Sequence, residues 1–285
     1  MNSNRNIIGQ VINDAANRVP GKDFHDGDYT GEDGLLYCGK CNTPKRCWVE
    51  FLGQRRAMPI MCECEKEKDR KKIEAENAAK LAAKIDRMRR DCFPTYETEQ
   101  ATFKLDDRHD PKISDAMHRY VDQWEEMKRQ NMGLLLYGSV GTGKTFYAGC
   151  IANALLDKGI PCKLTSFARI VNGLQGMQNG RQDWIDKLVG YPLLIIDDLG
   201  AERSSDYMLE QVYSVVDARY QAGLPLIVTT NVPIKEIKEP QDLKYKRIYD
   251  RILSMCFPVK IDGVSRRREA LKANFADRAK LLGLG

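Results

Sequence analysis

One run of residues constrains this chain more than any other: Leu134-Leu-Leu-Tyr-Gly-Ser-Val-Gly-Thr-Gly-Lys144, closed by Thr145. Its core, Gly138-Ser139-Val140-Gly141-Thr142-Gly143-Lys144-Thr145, matches the phosphate-binding pattern G-x-x-x-x-G-K-[ST] at every fixed position. Glycines there let backbone N–H groups turn inward around phosphate oxygens without Cβ clashes. Lys144 is the residue to reach β- and γ-phosphates, and the Thr145 hydroxyl is a Mg²⁺ ligand. Phe146 follows directly and is counted with the loop as nucleotide-binding. The pattern needs a strand before it and a helix after it, with the helix's positive end on the anion. Gly133 to Tyr137 reads as a short buried strand. Phe146 to Lys158 reads as a helix, with Ile151, Ala152 and Leu155 on one face and Gly159 as its stop.

Beyond the loop, strands and helices alternate. Strands are expected at Cys162 to Thr165, Pro192 to Ile196, Leu224 to Thr229 and Phe257 to Ile261. Helices are expected from Phe167 to Leu174, Trp184 to Val189 and Tyr207 to Gln221, the last with Leu209, Val212, Val216 and Tyr220 on its apolar side. The apolar strands lack period-two alternation, as strands covered on both faces do. The alternation therefore implies an α/β domain with a central parallel sheet and right-handed crossovers.

Asp197-Asp198 directly follows the apolar strand at 192–196. A carboxylate there completes a phosphate-loop site, because it holds the Mg²⁺ shell. Asp197 is assigned to Mg²⁺, directly or through water. Asp198 orients or activates the attacking water, with Glu202 as the reserve for that role. Thr229-Thr230-Asn231 ends the next strand, where polar side chains reach the γ-phosphate or the water. Arg247 to Arg251 lies on a predicted helix, and Arg266-Arg267-Arg268 follows the last strand. A forked, always-charged donor suits a developing phosphoryl charge.

Ahead of this domain the chain changes character. Residues 1–34 are polar, with one short helical turn over Ile7 to Ile12 and a loop over Gly21 to Gly34. Five of the nine cysteines, Cys38, Cys41, Cys47, Cys62 and Cys64, crowd into a short window. Clustering of that kind favours a metal over disulfides. Cys38, Cys41, Cys62 and Cys64 form two close pairs across an insert and supply the four soft ligands that a structural zinc takes. Cys47 is the substitute ligand, and a set of free thiols is the alternative. Cys92, Cys150, Cys162 and Cys256 read as small buried hydrophobes. Residues 65–92 read as a charged helix with a narrow stripe of Leu81, Ile85 and Met88, either a solvated spacer or a surface that docks on a partner. Phe93-Pro94 ends it. Residues 93–107 read as a linker, Lys112 to Gln130 as one helix, and 108–285 as the nucleotide-binding domain.

The longest apolar runs are strand-sized, so no membrane partner is expected. The first residues lack a signal-peptide core, which points to the cytoplasm. A net charge of +5 permits a nucleic-acid partner without requiring one. Lys163, Arg169, Arg181 and Lys187 are the candidate DNA contacts, near the second strand of the domain.

These motifs together resemble the AAA+ ATPases, and within them the DnaC/DnaI-type replicative helicase loaders. The resemblance rests on Gly138 to Thr145, Leu194-Ile-Ile-Asp-Asp-Leu-Gly-Ala-Glu202, Thr229-Thr-Asn231, Tyr249-Asp-Arg-Ile252 and Gly263-Val-Ser-Arg-Arg267. It covers about residues 93–275. The resemblance implies an ATPase with a minimal C-terminal lid. It makes Asn231 the sensor-1 polar residue, Arg251 an arginine finger acting on a neighbouring subunit's nucleotide, and Arg267 the sensor-2 arginine. It implies ATP, Mg²⁺ and a structural Zn²⁺ as cofactors. The implied partners are a replicative hexameric DNA helicase, single-stranded DNA and further copies of the chain in a ring or spiral. Many AAA+ proteins carry Asp-Glu where this chain has Asp197-Asp198, which implies slow hydrolysis. An IstB-type transposition ATPase and an ATP-gated adaptor that scarcely hydrolyses are the alternatives.

Overall fold

The computed structural model describes residues 25–51, 53–175, 177, 179–200, 206–266, 275 and 280–284. They fall into two compact units, residues 1–81 and 82–285. The helical turn expected at Ile7 to Ile12 lies outside the described residues, as do Glu202, Arg267, Arg268 and most of the expected lid.

The first unit is built from two small antiparallel pairs, β1 (Tyr29–Thr30) with β2 (Leu36–Tyr37), and β3 (Arg46–Phe51) with β4 (Gln54–Pro59). Sequence reading assigns no strand here. The physical reason is visible in the register: Cys47, Val49 and Phe51 share one face, but Trp48 lies on the other, between Arg46 and Glu50. Trp48 breaks the alternation along β3, and β4 sets Arg56 and Gln54 opposite Val49 and Phe51, so no clean period-two pattern shows. Among the described residues of this unit few side chains are buried: Leu35, Leu36, Cys38, Cys62 and the charged pair Lys45 and Asp28.

Helix α1 (Glu63–Cys92) carries Glu63 and Glu65 in its first turn and Arg89 and Arg90 in its last, each complementing the helix dipole. The boundary between the units falls within it. Leu81 is half exposed, whereas Met88 packs against the core of the second unit. There Arg89 pairs with Asp157, and Asp91 accepts from Lys163 and Tyr191.

Residues 93–107 are not a free linker. They fold as α2 (Tyr96–Gln100), N-capped by Thr95, and a 3₁₀ turn at Phe103–Leu105. The buried Asn153 amide holds this segment by donating to the Glu99 and Ala101 carbonyls at 3.0 and 2.8 Å. The anchor comes from a helix some fifty residues on, which no local pattern reports. The expected single helix over 112–130 is two, α3 (Pro111–Asp122) and α4 (Trp124–Arg129), broken at Gln123, whose ψ of 26° is not helical.

The second unit then runs β5 (Gly133–Tyr137), α5 (Lys144–Asp157), β6 (Cys162–Ser166), α6 (Phe167–Leu174), α7 (Arg181–Val189), β7 (Leu193–Leu199), α8 (Asp206–Ala222), β8 (Leu226–Thr230), α9 (Ile234–Lys238), α10 (Leu243–Met255) and β9 (Cys256–Lys260). The five strands are parallel in the order β6-β7-β8-β5-β9. Alternate residues of the central strands face opposite layers. Leu135, Leu194, Ile196 and Val228 pack with α6, α7, α8 and α10, while Leu134, Leu136, Ile195 and Ile227 pack with α3 and α5. That double cover is why these strands are apolar throughout.

One buried residue escaped the sequence reading. Helix α8 buries Arg219 rather than Tyr220, which is 39% exposed. The Arg219 guanidinium donates to the carbonyls of Val189, Tyr191, Pro192 and Pro225. Those carbonyls lie at the entries to β7 and β8, so one side chain fastens the starts of two strands.

Candidate functional site

The strand order places β8 between the phosphate-loop strand β5 and the acid-bearing strand β7. The C-terminal ends of all three therefore meet, as open parallel sheets require of a ligand site. Gly138, Gly141 and Gly143 have φ of 148°, 84° and 103°. A Cβ on Gly138 would lie 2.1 Å from the Ile261 carbonyl oxygen, so the loop can pass β9 only as glycine. Lys144 is 5% exposed, and its ammonium donates to the Gly138 and Ser139 carbonyls at 3.0 and 2.7 Å. Thr142 donates to the same Ser139 carbonyl at 3.0 Å, closing the loop on itself. Ser139 and Val140 stand exposed at its tip.

The acid pair sits inside β7 rather than after it, and the strand bulges there. Ile196 pairs with Val228, but Leu199 pairs with Thr230, one residue too many on β7. Asp198 takes φ of 57°, a left-handed conformation that Asp tolerates better than most residues. The bulge turns the two acids to different places. Asp197 Oδ1 accepts from the Thr145 hydroxyl at 2.8 Å and from the Thr229 hydroxyl at 2.5 Å. The Asp198 carboxylate is left exposed, while its backbone N–H donates to Thr229 Oγ1 at 3.0 Å. Burial pushes the Asp197 carboxyl above its ordinary value, against the opposing pull of the two hydroxyl donors and Lys144. A hydroxyl and a carboxylate sharing an oxygen contact beside a phosphate loop form a donor set that fits Mg²⁺, a hard cation with oxygen ligands.

A cleft of about 440 Å³ opens over this arrangement. Val140, Gly141, Gly143, Lys144, Thr145 and Phe146 form its floor, and Asp198, Asn231, Glu97 and Arg266 line it from other elements. Of the Thr229-Thr230-Asn231 run, only Asn231 reaches the cleft. Thr229 holds both acids, and Thr230 donates to the Leu199 carbonyl at 2.7 Å. Sequence reading gave all three a part at the phosphate; the two threonines are fully buried and brace the bulge instead.

Arg266, one of the three arginines expected to suit phosphoryl charge, lines the cleft, and so does Glu97, which no motif marks. The Arg266 N–H donates to Gly141 O at 2.9 Å, its guanidinium pairs with Asp107 at 2.8 Å, and it lies 5.8 Å over the Phe146 ring. Arg267, the expected sensor-2 residue, lies outside the described residues. Arg251 does not line the cleft of its own chain. It sits on α10, pairs with Asp217 at 2.9 Å and stacks on Tyr220 at 4.4 Å. Of the proposed DNA contacts, Lys163 pairs with Asp91 in the last turn of α1, and Arg169 donates to Pro94 O just after it. Arg181 donates to Met177 O, and Lys187 is exposed.

A second constellation lies in the first unit. The sulfurs of Cys38, Cys41, Cys62 and Cys64 all lie within 4.8 Å of one another. The Cys38–Cys41 pair sits on a tight turn closed by Asn42 N–H to Cys38 O at 2.8 Å, with Asn42 at φ 55°. The other pair straddles the start of α1, where the Cys62 carbonyl accepts from Glu65 and Lys66 N–H. Cys47 lies on β3 outside the cluster. A hydrogen bond from Thr43 holds the Cys41 thiol down at about 5, while burial raises Cys62 to about 12. Four thiols at one point, two of them buried, fit a structural zinc with no open coordination position. Behind them the buried Lys45 ammonium pairs with Asp28 at 2.9 Å, and Asp28 also accepts from Gly39 N–H at 3.0 Å. The other four cysteines are buried, and burial pushes the Cys92 thiol up to about 12. Among the described residues no helix is long and apolar enough to cross a membrane.

Comparison with known proteins matches residues 60–273 to the family described as IstB-like ATP binding protein. The replicative helicase loader DnaI of Bacillus subtilis is 29% identical over 182 residues, covering 59% of this chain and 58% of that protein. A putative ATP-binding protein of an insertion sequence from Mycobacterium tuberculosis is 28% identical over 194 residues, covering 65% of this chain and 74% of that protein. A crystal structure of DnaI superposes with a TM-score of 0.53 at 26% identity, covering 64% of this chain and all of that one.

Proposed function

Because the chain belongs to the family of IstB-like ATP-binding proteins, an AAA+ fold of which DnaI is a relative, we propose that it is an ATP-dependent loader. It binds a replicative hexameric DNA helicase and delivers it to single-stranded DNA. The observation that carries this reading is the four-cysteine cluster ahead of the phosphate-loop unit. A small metal-held module on an ATPase is suited to gripping a partner, while the ATPase supplies the switch.

In the proposed cycle the triphosphate lies on the loop's N–H groups with Lys144 against the β- and γ-oxygens. Mg²⁺, held by Thr145 and Asp197, neutralises charge on those oxygens when bound. Asp198, exposed and turned by the bulge, takes a proton from the attacking water. The water oxygen bonds to the γ-phosphorus, the bond to the β–γ bridging oxygen breaks, and ADP and inorganic phosphate leave. Asn231 orients that water. Arg251 acts on the nucleotide of a neighbouring copy, which its place outside its own cleft supports. A finger supplied in trans is a head-to-tail contact and builds a ring or spiral.

A pull-down of the tagged chain from its native cell with ATP present tests the partner. Recovery of a hexameric helicase supports the loader, and recovery of a transposase instead overturns it in favour of the IstB-type reading, which the insertion-sequence relative keeps in play. The trans finger has its own test. Arg251→Ala should bind ATP yet lose roughly 10³-fold in hydrolysis. Mixing it with Lys144→Ala chains should restore activity, because some interfaces then pair an intact loop with an intact finger. Zero activity at every mixing ratio, with assembly confirmed by sedimentation, removes Arg251 from the mechanism.

A further inference from the structure

Arg251 is held in a way an ordinary surface arginine is not. Its Nε donates to Asp217 Oδ1 at 2.9 Å, and its guanidinium carbon lies 4.4 Å over the Tyr220 ring. Asp217 is itself oriented, because its second oxygen accepts from Gln221 Nε2 at 2.6 Å. Asp217, Tyr220 and Gln221 stand at i, i+3 and i+4 on α8, one face of one helix. The Asp217 side chain is 19% exposed, against 40% for Arg251. The acid is sheltered and the guanidinium faces out.

The geometry leaves a specific part of the guanidinium available. A guanidinium has five N–H groups in a rigid fork. Asp217 takes the single Nε–H, and the Tyr220 ring fixes the plane. Tyr213, one turn before Asp217 on α8, also hydrogen-bonds the guanidinium, whose side chain stays 40% exposed. The forked nitrogens of such a side chain are the part that grips phosphoryl oxygens. An exposed ion pair contributes little to stability, which does not explain why Asp217, Tyr213 and Tyr220 of α8 all hold one arginine. Resting on the reading of Arg251 as a finger in trans, we infer that Asp217 is a positioning residue: with Tyr220 and Gln221 it presets the Arg251 fork for the γ-phosphate of a nucleotide bound by a second copy of this chain.

Positioning acts on the transition state and not on binding in the chain's own loop. Asp217→Ala should therefore lower kcat for ATP hydrolysis by about 10- to 100-fold, the size of effect that follows a misplacement of an ångström or so. The KM for ATP should stay within about twofold, because the loop that binds ATP is untouched. Asp217→Asn keeps an acceptor for Nε and should fall between. Adding Asp217→Ala to Arg251→Ala should cost nothing further, since the acid acts only through the arginine. Mixing Asp217→Ala with Lys144→Ala chains should recover activity. Nucleotide affinity and thermal unfolding of the full chain report on folding. An Asp217→Ala chain at wild-type kcat, beside an Arg251→Ala chain that is dead, overturns this inference and leaves the finger standing. A wild-type rate for Arg251→Ala removes the finger reading and this inference with it. A further loss in the double variant, or lost affinity in the single one, assigns Asp217 a structural role and overturns the positioning role.

Discussion

The two units hold their candidate ion sites by opposite means. In the second unit the site is braced by a core that exists without it. Asp197 and Asp198 are fixed by Thr229 from the neighbouring strand, and the strands below bury their side chains on both faces. Among the described residues of the first unit little is buried except the site: Cys38 and Cys62 are two of four buried apolar residues, and the paired Lys45 and Asp28 side chains are the buried charges. A sheet with a full core can offer an unfilled phosphate loop at no structural cost. A pair of hairpins with so little apolar burial needs a cross-link to stay folded.

Metal removal tests that contrast and carries the largest expected effect. Elemental analysis should find one zinc per chain. Stripping it with a chelator, or replacing Cys62 with Ser, should unfold residues 25–62, because structural zinc sites in small domains contribute on the order of 10 kcal/mol. The second unit should keep its nucleotide affinity and its unfolding transition. Limited proteolysis reads both at once: new cleavage confined to the first unit is the expected pattern. Metal-free protein whose first unit stays protected would erase the difference between the units.

The second test sits at the opposite end of the sheet from the nucleotide. Arg219 fastens the entries to β7 and β8 through four carbonyls. Arg219→Met leaves those carbonyls short of donors, at ~1–3 kcal/mol for each one left unpaired. Removing a buried cation offsets part of that. The expected net loss is about 3 kcal/mol, or a fall of roughly 5–10 °C in Tm for a unit of this size. Nucleotide affinity should not change. A variant as stable as the parent would show that the core alone sets the strand entries.

What the sequence disclosed follows the same division between contiguous and distant causes. The phosphate loop was legible in full because its eight positions are adjacent and each has a chemical reason. The cysteine pairs were legible because short spacings force the sulfurs together. The bulge at Asp197-Asp198 was not, since a bulge is a mismatch between two strands and neither strand encodes it alone. Arg219 drew no reading because its acceptors lie ahead of β7 and β8, far from it in sequence, whereas Tyr220 fits the helical period yet is 39% exposed. The 93–107 segment read as a linker because the Asn153 amide that holds it belongs to another helix.

The smallest effect should come from Thr229, and it probes the bracing itself. Its hydroxyl donates to Asp197 and accepts from the Asp198 N–H. Thr229→Val keeps the shape and loses both bonds, leaving the part-buried Asp198 N–H without its acceptor and Asp197 Oδ1 with Thr145 as its remaining donor. The stability cost should be about 1–2 kcal/mol. The larger consequence is chemical: Asp198 holds a left-handed φ of 57° that the rest of the bulge must enforce. With its N–H released the carboxylate drifts from the attacking water, and hydrolysis should fall about tenfold while ATP affinity changes little. Thr229→Ser restores the hydroxyl and should recover most of the rate. If Val and Ser behave alike, the acids are placed by β7 alone and the bracing from β8 is incidental. If Val also loses ATP affinity, then Thr229 acts through the Asp197–Thr145 contact rather than through Asp198. Measuring affinity with and without Mg²⁺ separates those two, because only the second depends on the metal.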